Sequence, residues 1–199
     1  MADVDIQRLC SICHDLPPEH IAAMDADFYP LLNPLILELY EDPLYGCIKD
    51  IEREHERVQS MAMFYSWILR RSQQTPWALY GVHRIRSVLD APQIARQLVR
   101  KVRSTDRRSA EWLSESDDAW CVTIMTTQGA RSPSTHIPIS IHVWLGLPFV
   151  AIHVQDMAGS DTTNQALFES IVGGLERCFY GFYPSLASAR SACHPDRRH

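Results

Sequence analysis

The chain has 199 residues, of which 46% are hydrophobic and 22% are charged. These proportions are ordinary for a globular protein and allow one large domain or two small ones. The net charge of -5 argues against a protein that binds nucleic acid over its whole surface. The acidic start has no signal-peptide pattern, and prolines and histidines interrupt the longest apolar stretch, residues 137–154. The sequence therefore predicts neither export nor a membrane span.

The first 76 residues predict a small helical bundle. Leucine and isoleucine recur at helical steps over residues 31–39, and a longer amphipathic helix is predicted from about Asp50 to Arg71. The apolar stripe of that longer helix comprises Ile51, His55, Val58, Ala62, Tyr65 and Leu69. Acidic residues cluster at its start and Arg70 and Arg71 at its end, as the helix dipole favours. Pro76 ends the helical pattern because proline cannot continue a helix.

The charges are distributed unevenly along the chain. Residues 1–72 contain thirteen acidic and six basic residues, whereas residues 84–108 contain eight basic and two acidic residues. The eight bases, called the basic segment below, are Arg84, Arg86, Arg96, Arg100, Lys101, Arg103, Arg107 and Arg108. They fit a surface that binds phosphates or an acidic protein, and they fit equally a solvated face that balances the acidic front half. A helix is predicted within this segment, over residues 91–102.

Alternating apolar residues predict strands in the second half of the chain. Trp120, Val122 and Ile124 alternate with Cys121 and Thr123, which is typical of a half-buried strand. A loop is predicted over residues 129–136, because glycine, proline, serine and threonine are frequent there. A final helix is predicted to begin near residue 163. The fold class is therefore α+β, with a helical bundle followed by an antiparallel sheet domain that has flanking helices.

The clearest local prediction is a hairpin over residues 139–154. With its turn at residues 146 and 147, Val143 pairs with Val150 and Ile141 pairs with Ile152. One face is then wholly apolar, and this clean separation supports the register. The opposite face carries His142, Trp144 and His153, and its mixed character indicates that a helix or a partner partly covers it.

Two constellations could carry chemistry, and neither is sufficient. Cys10, Cys13 and His14 match the spacing used for haem attachment, but the six cysteines of a chain without a signal peptide are better interpreted as reduced thiols. No second Cys-x-x-Cys pair completes a zinc site. His142 and His153 share a face of the hairpin, but no nucleophile, phosphate loop or metalloenzyme motif accompanies them. The sequence therefore predicts no catalytic residue, no metal and no cofactor.

The order of several weak features resembles the centromere protein N family, a subunit of the constitutive inner kinetochore network. The matching segments are Ile6-Gln-Arg8 with Leu16-Pro17, residues 60–71, Trp77-Ala-Leu-Tyr80, residues 117–124, residues 143–150 and Tyr183-Pro-Ser-Leu186. The resemblance implies a pyrin-like front domain, a sheet domain that pairs with centromere protein L, and docking to the centromeric nucleosome. Together with the change of pattern after Pro76, this predicts a helical, pyrin-like domain at 1–76, an α+β sheet domain at 77–191 and a flexible tail at 192–199.

The resemblance also assigns binding residues and shows departures from the family. Arg8 is the residue of the first helix that keeps a matching charge, and Asp3 and Asp5 are loose counterparts of acids that contact the centromeric histone. The family presents basic residues to DNA from its front domain, whereas this front half is acidic. Family members also extend beyond this sheet domain into a region that binds the partner. The acidic front half is therefore the main departure from the DNA contact that the resemblance implies.

The sequence therefore predicts a non-catalytic scaffold subunit of the inner kinetochore, located in the nucleus at the centromere. Its expected partners are a centromere protein L-like subunit and, as a further contact, centromeric chromatin, with no membrane. Arg8 and the basic segment are predicted to bind nucleic acid or a partner. Asp3 and Asp5 are predicted to bind a histone or a partner. The predicted partner face of the sheet comprises His142, Trp144 and His153. Two alternatives remain: a death-fold-like signalling adaptor, and a metal- or haem-binding protein that uses Cys10, Cys13 and His14.

Overall fold

A computed structural model describes residues 3–17, 19–20, 23, 42–71, 76–81, 84–85, 96–98, 100, 109–116, 118–128, 135–144, 147–154, 169, 171–176, 179–180, 183–184 and 189–190. Its helices are α1 (Asp3–His14), α2 (Pro43–Lys49) and α3 (Glu54–Arg71). Its longer strands are β1 (Pro76–Gly81), β3 (Ala110–Glu115), β4 (Ala119–Gln128), β5 (Thr135–Trp144) and β6 (Phe149–Val154). Its two-residue strands are β2 (Arg84–Ile85), β7 (Phe179–Tyr180), β8 (Tyr183–Pro184) and β9 (Ala189–Arg190).

Local signals explain where the front helices begin and end. At α2, a carboxylate oxygen of Asp42 accepts hydrogen bonds from the backbone N–H groups of Leu44 and Tyr45, at 2.9 and 3.1 Å. This is an N-cap, and it satisfies donors that a helix start leaves free. The predicted helix at 50–71 begins later than expected, at Glu54. The guanidinium of Arg57 donates two hydrogen bonds to the carbonyl of Ile51, at 3.1 and 2.6 Å, and holds the lead-in to the helix outside the helical conformation.

The main sheet is antiparallel, with the strand order β3-β4-β5-β6-β1-β8 and with β9 also paired to β1. The predicted strand at Trp120–Ile124 is confirmed as part of β4. The predicted hairpin is confirmed with its register, since Ile141 lies opposite Ile152 and Val143 opposite Val150. Strands β1 and β3 were not predicted. The predicted loop at 129–136 is wrong at its end, because β5 already begins at Thr135 and pairs with β4 there.

The two faces of the sheet have different coverings. The first face carries the main apolar core, into which Leu98, Ile171 and Leu175 pack from helical segments. The strand residues of this core are Tyr80, Trp120, Val122, Ile124, Ile137, Ile139, Ile141, Val143, Val150 and Ile152. On the second face, Met125 and Ala110 join the core of α1, α2 and α3, and Leu69 of α3 packs near Trp144. The front helices therefore form a layer that covers this second face.

The chain is thus a mixed helix and sheet protein with N-terminal helices, as the sequence predicted at this coarse level. Helical residues at 96–98, 100, 169 and 171–176 lie where the two later helices were predicted. The helix predicted at 31–39 and the tail at 192–199 lie outside the described residues. Across the ranges given above, none of the helices has the length and apolar character needed to cross a membrane.

Candidate functional site

The residues predicted as a partner face of the sheet, His142, Trp144 and His153, lie in the interior. They belong to the second face, and all three are buried. Trp77 of β1 contacts both histidines, with ring centroids 6.2 Å from His142 and 5.6 Å from His153. The rings of His142 and Trp144 lie 4.5 Å apart. In this structure the four rings, called the aromatic cluster below, are packing residues and offer no surface to a partner.

His142 is held neutral by its surroundings. Burial, the largest cause, and the positive charge of Arg70 together lower the pKa of its imidazole to about 4, although Asp118 acts in the opposite direction. Neither ring nitrogen finds a hydrogen-bond partner among the described residues. A neutral imidazole is the form that tolerates such an environment, because a buried charge without a partner is costly.

Cys121 lies directly opposite His142 in the register of β4 and β5. Burial raises the pKa of the Cys121 thiol to about 11, although Arg70, Ser66 and Thr123 each act to lower it. A cysteine nucleophile needs a depressed pKa so that the thiolate forms near neutral pH. The juxtaposed cysteine and histidine therefore lack the electrostatics of a catalytic pair, and their arrangement favours packing.

The lowered pKa of His142 makes the stability of the fold depend on pH. The unfolded chain takes up a proton at this histidine below about pH 6.5, whereas the folded chain resists protonation down to about pH 4. We expect the free energy of unfolding to fall by about 3 kcal/mol through this group as the pH drops across that window. Urea unfolding of the parent and of His142→Leu between pH 7 and 4 measures the difference. Replacement of the exposed His55 by Ala is the control, and equal pH slopes for the parent and His142→Leu would contradict the expectation.

Asp5, assigned to histone contact by the resemblance, is only 1% exposed. One of its carboxylate oxygens accepts a hydrogen bond from the backbone N–H of His136, and the other lies 3.1 Å from Nδ1 of the same residue. These two contacts fasten α1 to the start of β5. Both carboxylate oxygens are thus used inside the protein, and Asp5 is not accessible to a histone or to another partner in this conformation.

The other front-half candidates lie nearer the surface. Asp3 is about half exposed, and its carboxylate accepts a hydrogen bond from Nζ of Lys49 in α2. This contact raises the pKa of the Lys49 ammonium. Arg8 lies on α1 and is half-buried. Asp3 and Arg8 therefore remain reachable in part, whereas Asp5 does not, so the structure separates residues that the resemblance groups together.

The basic segment is described at three of its eight positions. Arg84 lies in β2 and pairs with Tyr180 of β7. Arg96 and Arg100 are exposed on a helical segment, four residues apart, while Leu98 between them is buried in the main core. Residues three or four apart lie on the same side of a helix. The two arginines therefore form an exposed basic pair, and Arg86, Lys101, Arg103, Arg107 and Arg108 lie outside the described residues.

Cys10, Cys13 and His14 all lie near the carboxylate of Asp42, but their side chains differ in burial. Both cysteines are buried in the core of the front helices, whereas the His14 side chain is 71% exposed and lies 3.2 Å from a carboxylate oxygen of Asp42. Burial raises the pKa of both thiols, and that of Cys13 rises to about 12. Within the part of the chain that the structure describes, no group of three or more His, Cys, Asp or Glu residues is arranged to hold a metal ion.

Strand β3 is a surface feature that the sequence did not predict. It pairs with β4 from Ala110 opposite Met125 to Glu115 opposite Trp120, and it lies at one end of the strand order. The Trp112 side chain is 37% exposed on this strand. The available signal was weak, because a single apolar pair, Trp112-Leu113, between polar residues predicts neither a strand nor a helix, and the pairing with β4 becomes visible only in the structure.

No protein-family model matches this chain, and no curated protein matches it either.

Proposed function

We propose that this chain is a non-catalytic scaffold subunit of an inner-kinetochore assembly, and that its main partner is a protein subunit similar to centromere protein L. Centromeric chromatin is the second proposed contact. In this proposal the front helices form the pyrin-like part and the sheet forms the part that joins the assembly.

The observation that carries the proposal is the exposed basic pair. Arg96 and Arg100 project from a helical segment that is anchored by Leu98 in the main core. An anchored segment presents its charges with little loss of conformational freedom on binding, and complementary charges increase the rate and specificity of association. The pair is therefore suited to recognise an acidic surface.

Two further observations support binding rather than a reaction. The thiols of Cys10, Cys13 and Cys121 have raised pKa values, so they are poor nucleophiles at neutral pH. The imidazole of His142 is neutral and buried among aromatic rings. These groups stabilise the fold in their uncharged forms, and a scaffold needs nothing more from them.

A protein is preferred over duplex DNA as the partner because of the charge distribution. The front half has more than twice as many acidic as basic residues, and such a surface repels the phosphate backbone. A local basic surface beside an acidic half instead suits a partner protein with a matching local acidic patch.

The experiment compares the two partners directly. We expect the purified chain to bind a purified centromere protein L-type subunit, and the double variant Arg96→Glu/Arg100→Glu to slow association and weaken the complex by roughly tenfold or more. Duplex DNA, titrated at low and moderate salt, should bind negligibly. The control is Arg53→Glu, which reverses an exposed arginine elsewhere in the chain.

Three outcomes would redirect the proposal. Tight DNA binding would make DNA the main partner if the logarithm of the affinity fell with the logarithm of the salt concentration at a slope of about −0.9 per neutralised phosphate and if charge reversal abolished the binding. Self-association of the chain without any partner would support the death-fold-like adaptor. Absence of binding to either partner would refute the scaffold proposal.

A further inference from the structure

The outer side of β3 is a sheet edge. This strand ends the order of the main sheet, and no strand among the described ranges pairs with its outer side. A strand at such a position has backbone N–H and C=O groups directed away from the sheet, which can pair with an additional strand. Backbone pairing of this kind is an established mode of peptide recognition.

The edge is held rigidly in place. All six residues of β3 are in register with β4. The guanidinium of Arg70 in α3 also donates a 2.5 Å hydrogen bond to the hydroxyl of Ser114, which fastens the strand to the helix above it. A preformed edge loses little conformational freedom when a strand is added, and this favours binding.

The side chains of the edge define the chemistry of the strand that it can accept. Residues 109–128, which include β3, the following turn and β4, contain four acidic residues and no lysine or arginine. Side chains alternate between the two faces of a strand, so Glu111 and Glu115 lie on one face of β3 and Trp112, with 37% of its surface exposed, lies on the other. Glu115 and Asp118 are exposed and Glu111 is half-buried. The face with the two glutamates favours arginine or lysine, since the cations pair with the acids, and the face with the indole favours an apolar side chain.

A second copy of the chain fits this edge poorly. If two β3 strands paired antiparallel about Leu113, Glu111 of one copy would lie opposite Glu115 of the other at both ends of the pairing. Like charges directly opposite each other destabilise a strand pair. Acidic residues on an edge strand are also a common means of preventing self-pairing.

We propose that the outer edge of β3 accepts an extended basic segment of another protein as an added strand. The added strand forms backbone hydrogen bonds to β3, places arginine or lysine beside Glu111 and Glu115 on one face of the sheet, and packs an apolar side chain on Trp112 on the other face. This site is independent of the proposed function. In the proposed function the basic pair Arg96 and Arg100 binds an acidic partner, whereas at β3 an acidic edge binds a basic segment.

The probe is a blocked peptide of about eight alternating arginine and valine residues, a length that matches one strand. Alternate backbone N–H groups of an added strand point toward the sheet, so only one of the two alternating sets forms hydrogen bonds with β3. We therefore expect that N-methylation of one set abolishes binding and that N-methylation of the other set preserves it. A peptide with glutamate in place of arginine should not bind. Isothermal titration calorimetry with the full chain measures all four peptides.

Variants of the protein complete the test. We expect Glu111→Lys/Glu115→Lys to weaken peptide binding by roughly tenfold or more, and Trp112→Ala to weaken it by about fivefold because the apolar side chains of the peptide lose a packing partner. The matched control is Glu52→Lys/Glu176→Lys, which makes the same charge change at two exposed positions outside the edge, and it should bind nearly as the parent does. Circular dichroism verifies that each variant is folded.

Several results would overturn the proposal. Equal effects of the two methylation patterns would show that charge alone attracts the peptide. Equal weakening by the edge and control variants would place the binding elsewhere, and no binding at millimolar peptide would exclude the edge as a site for a basic strand. Concentration-dependent dimerisation that Trp112→Ala abolishes would assign the edge to a second copy instead.

Discussion

Replacing Val150 with aspartate should lower the free energy of unfolding by about 4 kcal/mol or more, or prevent folding altogether. Val150 is fully buried and lies opposite Val143 of β5 and Tyr80 of β1, in the middle of the main core. A carboxylate there is either ionised without a partner or protonated far above its normal pKa, and both states are costly. Urea unfolding measured by tryptophan fluorescence gives the loss.

Leu147→Asp is the matched control for this prediction. Leu147 lies only three positions earlier in the same hairpin, but 46% of its surface is exposed. The same change in charge should therefore alter the free energy of unfolding by no more than about 0.5 kcal/mol. If the two variants lost similar amounts, the observed register of β5 and β6 would not describe the protein in solution.

Replacing Asp5 with alanine should lower the free energy of unfolding by about 3 kcal/mol. The change removes the acceptor for the backbone N–H of His136 and the partner of its Nδ1, and both groups stay buried. Removing one member of a buried, hydrogen-bonded pair costs much more than removing an exposed contact, because the remaining member keeps its desolvation penalty. Thermal and urea unfolding at pH 7 measure the effect.

Asp3→Ala supplies the comparison on the same helix. Asp3 also has a partner, Lys49, but both side chains of that pair are accessible to solvent. Water replaces the lost interaction there, so only a small change in stability is expected. A double variant of Asp5 and His136 should be less destabilised than the two single variants predict together, since the two residues interact directly. Additive losses would show that Asp5 stabilises α1 without help from His136.

The parts of the fold that the sequence could predict are those with a strict local pattern. The hairpin of β5 and β6 was predictable because a shift of one residue would exchange its apolar and mixed faces. The helix that ends at Arg71 was predictable from its apolar stripe, but its start at Glu54 depends on the side chain of Arg57, which no periodicity reports. Strands β1 and β3 lack clean alternation, and their strand conformation depends on pairing with distant residues.

The candidate site illustrates the same limit. The sequence predicted that a helix or a partner covers the face of His142 and Trp144, and α3 with its neighbours provides that cover. It could not predict that Asp5 reaches His136, because no local pattern links an N-terminal acid to a strand far along the chain. The sequence also could not predict whether the basic segment binds a partner, because a solvated helix face and a binding surface have the same pattern of basic residues.

The contact between Asp5 and His136 joins residues 131 positions apart, and this separation has a consequence for synthesis of the chain. Translation proceeds at about 5–20 residues per second, so the ribosome needs on the order of ten seconds to add the strand that receives Asp5. Among the described helices, α2 and α3, which share a core with Ile6 and Leu9 of α1, are made well before that strand. The first helix made can therefore join its helical neighbours early, but it gains its link to the sheet only after about two thirds of the chain has been synthesised.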